Sequence, residues 1–211
     1  KALISDAAES GCWGVKFQYR DIDSFYNSVD EVSDVIVYEE IKRNFLTIEV
    51  LKKLIDYANK LSLKFGLSFF RTVDVEKLDT LLESVDFLKI PSAECLNVQL
   101  IDKLRQYSKK LFVSFGAHET EVVLEKVSRI GKDIIPFHCI ANYPVRLGDQ
   151  DLNVIETFTN NGFNEVGYSS HDEDWEVCLI AISKGASWLE RHITLDKNGK
   201  GLDDTSSSTK A

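Results

Sequence analysis

Methionine is missing altogether from this 211-residue sequence, including from its first position, so a piece trimmed from a longer chain is expected. Positive charge is scarce. The 25 Lys and Arg stand against 34 Asp and Glu, a net charge of −9, and the sequence pI is near 5.0. An acidic chain without a basic stripe excludes the usual binders of nucleic acid or anionic membrane, because attraction to phosphate needs clustered Lys and Arg. No apolar run reaches the roughly 18 residues of a membrane span. The opening KALISDAAESG has an amphipathic helical pattern, not the apolar stretch of a signal peptide. The four cysteines, Cys12, Cys95, Cys139 and Cys178, show no CxxC spacing. That removes a zinc finger and leaves free thiols in a reducing cytoplasm, with a disulfide pair as the alternative. Low-complexity sequence is lacking too; there is one long loop, from Tyr19 to about Leu46, and a polar tail, KNGKGLDDTSSSTKA.

What is present is one domain's worth of core, residues 1–211, with 44% hydrophobic and 28% charged residues. Short β-rich runs recur: GVKFQ (14–18), KFGLSFF (64–70), DFLKIP (86–91), KLFVSFG (110–116), DIIPFHC (133–139), EVGYSS (165–170) and SWLERHIT (187–194). The stretches between them, such as TIEVLKKLIDYANKLS and DWEVCLIAISKG, repeat apolar residues at the i, i+3, i+4, i+7 positions of a helix. Gly66, Gly131, Gly162 and Gly185 follow helical patterns, where a left-handed C-cap is expected. Regular strand–helix alternation implies a parallel sheet covered by helices. Seven strands preceded by a helix predict a (β/α)8 TIM-type barrel whose first strand is missing from this chain. A doubly wound sheet competes with it, but KFQYRD after the first strand is not a glycine-rich phosphate loop.

A barrel places its chemistry at the C-terminal strand ends. These ends carry Lys16 and Gln18, Ser68, Lys89 with Ser92 and Glu94, Ser114, His138, Ser169 with His171, then Glu190 and His192. Lys16 lies between Val15 and Phe17, and Lys89 between Leu88 and Ile90, so each lysine points away from its apolar neighbours. One strand-end lysine alone is as easily a residue reaching solvent. Two of them among serines favour a phosphate or carboxylate cradle, since a buried ammonium needs an anionic partner. A lone strand-end histidine is more often a hydrogen-bonded structural residue. His171 and His192, however, end consecutive strands, about 4.8 Å apart in a parallel sheet, within reach of one ion. Glu190 would then hold a metal-bound water or an imidazole N–H. Leu189 and Ile193 are expected on the helix-covered face with Arg191, His118 on the surface, and His138 in packed structure with substrate contact as an alternative.

Taken in order, VKFQ (15–18), KIPSAECLN (89–97), VSFG (113–116), HCIANYP (138–144), VGYSSH (166–171) and LERHITLDKNGKGLDD (189–204) resemble the sialic acid synthases, the N-acetylneuraminate synthase family, over nearly the whole chain. The resemblance implies a phosphoenolpyruvate-condensing transferase. It would join phosphoenolpyruvate to open-chain N-acetylmannosamine or a related amino sugar, giving a nine-carbon 2-keto acid and phosphate, with Mn2+ or Mg2+ assisting. Carried over residue by residue, Lys16, Lys89, Ser92, Ser114 and Ser169 hold phosphoenolpyruvate, and His171 and His192 ligate the metal. Gln18, Tyr143 and Asp203 meet the sugar. Lys89 and Glu94 are the catalytic residues, with Glu94 the acid/base carboxylate.

The sequence also departs from the family. Its Ser-Asp-His reads Ser169-Ser170-His171, and its Gly-Pro-Asp-His reads Gly201-Leu202-Asp203-Asp204. Ala141 stands where some members carry a polar sugar-binding residue, and the acidic residue of the family's first strand is missing. The family's C-terminal antifreeze-like domain, which closes the partner's active site in dimers, is expected to be absent from this chain, which would then be inactive alone. Two alternatives remain. One is another metal-dependent aldolase or keto-acid synthase taking a phosphorylated sugar, for which only Arg20, Arg71 and Arg146 fall near strand ends. The other is a degenerate barrel that binds phosphoenolpyruvate or sugar without turnover.

Overall fold

Helix α1 (Ala2–Glu9) buries Ile4 and Ala7 and leads into strand β1 (Gly14–Tyr19). The next described helix, α2 (Val35–Arg43), lies inside the segment expected to be one long loop. Two side-chain interactions brace its last turn: Glu40 pairs with Arg43 and accepts from Asn44 Nδ2 at 2.6 Å. The computed structural model describes residues 1–22, 35–116, 120–146 and 148–210; His118 lies outside them. Helix α3 (Ile48–Lys60) starts where Thr47 Oγ1 accepts from Val50 N at 3.3 Å, and buries Leu51, Leu54, Ile55 and Ala58 on one stripe. After α3 the left-handed position belongs to Ser62, with φ 59°, not to Gly66. Gly66 sits inside strand β2 (Lys64–Phe69), where the Phe87 ring fills the space a Cβ would take, 2.1 Å away. Close packing therefore requires that glycine, whereas Gly131, Gly162 and Gly185 do adopt the expected positive φ.

The remaining elements keep the alternation: α4 (Thr72–Lys77), α5 (Asp79–Leu82), β3 (Phe87–Ile90), α6 (Val98–Arg105), β4 (Lys110–Phe115), α7 (Thr120–Ile130), β5 (Ile135–Cys139), α8 (Asn153–Asn160), β6 (Gly167–Ser170), α9 (Glu176–Ser183) and β7 (Trp188–Arg191). Among the described residues the sheet has seven strands ordered β1-β2-β3-β4-β5-β6-β7. Neighbours pair in parallel in β1–β2 and from β4 through β7. This is the α/β order of a (β/α) barrel, not the reversed order of a doubly wound sheet.

The chain divides into two compact units. The first comprises Lys1–Leu88 and Gln99–Lys109, the second Lys89–Val98 and Lys110–Ala211. In the first, β1 and β2 pair Lys16 with Gly66 and Gln18 with Ser68, around a core that includes Leu67, Phe65 and Phe69. In the second, the parallel register sorts side chains into two faces. Ser114, Phe137, Gly167 and Trp188 form one row of the first face; Cys139, Ser169 and Glu190 form the next. The opposite face carries Phe115, His138 and Tyr168, with α8 against β5 and α9 against β6.

The last strand departs most from expectation. It stops at Arg191; beyond it Ile193 bridges to Ser208, while Ser208 N donates to His192 O at 2.8 Å. Leu189 is 42% exposed, so the helix-covered face expected for it is not realised among the described residues.

Candidate functional site

Lys89 is the residue around which the second unit's polar face is arranged. Its side chain is among the largest that are fully buried, at 1% exposure. The ammonium lies 3.9 Å above the Phe137 ring centroid and 3.3 Å from Glu190 Oε2. The ring keeps that position because Gly167, its register partner, has no side chain: a Cβ there would lie 2.5 Å from the ring. The other Glu190 oxygen, Oε1, accepts from Ser169 Oγ at 2.8 Å. Lys89, Glu190 and Ser169 thus form one charge-assisted chain at the end of the sheet. Glu190, expected to serve the histidines, pairs with the ammonium and with Ser169.

Next to this chain stands Cys139, which the sequence reading passed over. Burial pushes its thiol up to about 11, while the Lys89 charge and the Ser92 and Ser114 hydroxyls pull it back. Those influences place Ser92, Ser114 and Lys89 around a single sulfur. Ser114 is buried, and its Oγ reaches no hydrogen-bond partner of good geometry among the described residues. An ammonium, hydroxyls and a thiol converging on a half-enclosed face suit an anion with several oxygens. No spacing rule flags Cys139, because its role comes from register with Ser169.

Beyond the cradle stand the two imidazoles. Register pairs Ser169 with Glu190 and Ser170 with Arg191, which carries His171 and His192 to matching positions past the last pair. Their ring centroids are 5.4 Å apart. His171 Nδ1 lies 2.8 Å from Ile140 O, an acceptor only, so this nitrogen carries the proton and the ring's lone pair sits on Nε2. His192 Nδ1 lies 3.3 Å from Asp203 Oδ2, an arrangement with the same consequence. The Tyr143 ring centroid lies 4.2 Å from that of His171, the planes tilted by 38°, and the residue is 46% exposed. Two imidazoles oriented by acceptors on Nδ1 are a donor set that fits a divalent cation. Among the described residues, no group of three His, Cys, Asp or Glu is placed to hold a metal, so the rest of any coordination shell would come from water or substrate.

Glu94, Lys16, Gln18 and His138 take part in none of the contacts given above. Glu94 ends a 3-10 turn (Ser92–Glu94), and its carboxylate accepts from Asn97 Nδ2 at 2.9 Å. Among the described residues it makes no hydrogen bond or ion pair with the Lys89 chain. Lys16, half-buried, and Gln18, exposed, share one face of β1 in the first unit. His138 is a packed structural residue. It lies on the helix-covered face, stacked 5.8 Å from Tyr168, with its Nε2 unsatisfied among the described residues. All four cysteines are free thiols, and no described helix is long and apolar enough to cross a membrane.

A family model described as "NeuB family" matches residues 3–211. The chain is similar to the N,N'-diacetyllegionaminic acid synthase of Campylobacter jejuni, at 30% identity over 96% of this chain and 65% of that protein. It is 29% identical to the N-acetylneuraminate-9-phosphate synthase of Mus musculus, over 98% of this chain and 60% of that protein. It therefore spans 60% to 65% of the length of these two relatives. The crystal structure of a sialic acid synthetase from Leptospira borgpetersenii in complex with citrate superposes with a TM-score of 0.86. That match has 24% identity and covers 99% of this chain and 72% of that one, a likeness of fold.

Proposed function

The chain belongs to the NeuB family, and from that premise we propose that it forms the barrel of an enzyme condensing phosphoenolpyruvate with the open-chain aldehyde of an N-acetylated amino sugar. The products are a 2-keto sugar acid and inorganic phosphate. The observation that carries this reading is the buried Lys89 ammonium, set among Ser92, Ser114 and Ser169 beside a pair of oriented imidazoles. Relatives are named for legionaminic and neuraminic acid products, which differ in the sugar but share an acylated amino group and a 2-keto acid end. The sugar class is accordingly N-acetylmannosamine or a related acylated amino sugar.

Lys89 neutralises the anionic end of phosphoenolpyruvate, while the serine hydroxyls donate to its oxygens. His171 and His192 would hold Mn2+ or Mg2+; when bound, that ion supplies Lewis-acid polarisation of the aldehyde oxygen. The substrate enol carbon bonds to the aldehyde carbon as the aldehyde C=O π bond opens and its oxygen takes a proton to become a hydroxyl. Water adds at C2, and the C2–O bond to phosphate then breaks to leave the ketone. Glu94 accepts the proton of that water. Tyr143 and Asp203 meet the sugar, and Asp203 also orients His192. Holding both reactants face to face supplies much of the rate through effective molarity. We propose a homodimer from the family resemblance alone, and the four free thiols fit a cytoplasmic location.

The test is phosphate release from phosphoenolpyruvate by the full-length protein with a panel of 2-acetamido sugars, phosphorylated and not, with and without Mn2+. Release that needs both a 2-acetamido sugar and the cation is expected. Release with none of the sugars overturns the reading, and release with a plain phosphorylated aldose alone moves it to another keto-acid synthase.

A further inference from the structure

On the reverse face of β6 and β7 lies a buried polar cluster that the anion cradle does not use. Asp172, 1% exposed, accepts from Tyr168 Oη at 2.6 Å and Ser170 Oγ at 2.8 Å on Oδ2, and from Gln150 Nε2 at 2.9 Å on Oδ1. Arg191 uses every guanidinium nitrogen. Nη1 donates to Ser170 Oγ at 2.6 Å and Asp174 O at 3.4 Å; Nη2 donates to Asp172 O at 3.0 Å and Ser206 O at 3.2 Å; Nε donates to Ser208 Oγ at 2.8 Å. The anchored residues are the chain neighbours of the imidazoles. Ser170 and Asp172 flank His171, and Arg191 precedes His192.

We propose that Arg191 and Asp172 are positioning residues that set, from behind, the separation and aim of His171 and His192, and so the affinity of that pair for a divalent cation. This rests on the reading of the two imidazoles as cation ligands. The register of β6 and β7 ends at Ser170 and Arg191, so no β6–β7 ladder pair holds the histidines that follow. Arg191 takes over from the ladder: its fork joins the Ser170 side chain and Asp172 backbone of one strand end to the Ser206–Ser208 tail that pairs with the other. On the far side Val145 N donates to His171 O at 3.0 Å, which fixes the β6 end against a second segment. Ligand geometry has to hold within about 0.5 Å for strong binding. A lysine ammonium cannot span this set of acceptors as a planar five-donor guanidinium does. Ser170, which stands where the family has Asp, donates its hydroxyl to Asp172 Oδ2 at 2.8 Å, one residue beyond the histidine.

The experiment uses the full-length protein and Mn2+ alone as probe, with affinity read by calorimetry. Arg191→Lys and Asp172→Asn are compared with His171→Ala and with a core control of similar thermal loss, Phe158→Leu. The expected result is a tenfold or greater fall in Mn2+ affinity in the two positioning variants and none in the core control. Excess Mn2+ should restore kcat in those variants, leaving a raised half-saturating metal concentration. Histidine ring 15N spectra without metal supply a second readout: wild type shows His171 as the single Nδ1–H tautomer, and the variants show a mixture. Wild-type affinity together with wild-type ring spectra in Arg191→Lys and Asp172→Asn overturns the proposal, as does an equal affinity loss in Phe158→Leu. If His171→Ala leaves Mn2+ affinity unchanged, the ligand reading is what fails, and the ring spectra decide the positioning role by themselves. Should Arg191→Lys not fold, Asp172→Asn and Tyr168→Phe carry the same comparison.

Discussion

At the scale of single residues, the buried ammonium and the buried imidazole make opposite demands. Lys89, almost wholly desolvated, faces the Glu190 carboxylate and the Phe137 ring, the two groups that offset the burial of an ammonium. Replacing it with methionine, which has a similar unbranched length, leaves Glu190 23% exposed and still bonded to Ser169. Lys89→Met is therefore expected to change stability by no more than about 2 kcal/mol. It is expected to weaken phosphoenolpyruvate binding about a hundredfold, the equivalent of about 3 kcal/mol. Urea unfolding and calorimetry check the two parts. His138 has no such partner, and burial lowers its pKa to about 4 from 6.5, against smaller opposing effects of Asp151 and Asp172. Between those values the unfolded chain binds a proton that the folded chain refuses. Its contribution is thus intact above pH 6.5 and is lost as pH falls toward 4, by roughly 3 kcal/mol in all. His138→Gln should flatten that acid slope in unfolding measured at pH 7, 5.5 and 4.5.

At the scale of elements, local signals located most of the fold and misplaced some of its edges. Period-two and period-3.6 patterns place seven strands and the main helices, because each pattern reports which side of its own element is buried. Gly66 reads as a helix terminator on spacing alone, yet its neighbour Phe87, 21 residues away, needs that space inside β2. The segment around Val35–Arg43 has few periodic apolar positions, and its brace is charged and local, from Glu40 to Arg43 and Asn44. SWLERHIT reads as one long strand, but its second half pairs with Ser208 of the tail, a partner no local window contains. Helix α3 is the element that local chemistry explains best. Thr47→Ala should cost about 1 kcal/mol and Thr47→Ser almost nothing, measured by chemical denaturation, because only the hydroxyl caps the exposed first turn.

At the scale of the whole molecule, the chain carries a net charge of −9, and the proposed substrate is an anion. Long-range repulsion is screened by salt with a Debye length of about 10 Å at 0.1 M, whereas the buried Lys89 contact is screened little. Phosphoenolpyruvate affinity should hold steady or rise between 50 and 200 mM salt, and a steep fall would point to binding on exposed lysines instead. The sequence by itself determined the alternation of strands and helices, the acidic surface, and the residues standing at strand ends, since each depends on neighbours a few positions away. Only the tertiary structure decided who faces whom. Lys89 and Glu190 meet across about a hundred residues of chain, Cys139 joins Ser92 and Ser114 through strand register, Asp203 reaches His192 from the tail, and Arg191 ties the reverse face. Such pairings come from register between distant strands, which is set when a whole face is buried at once.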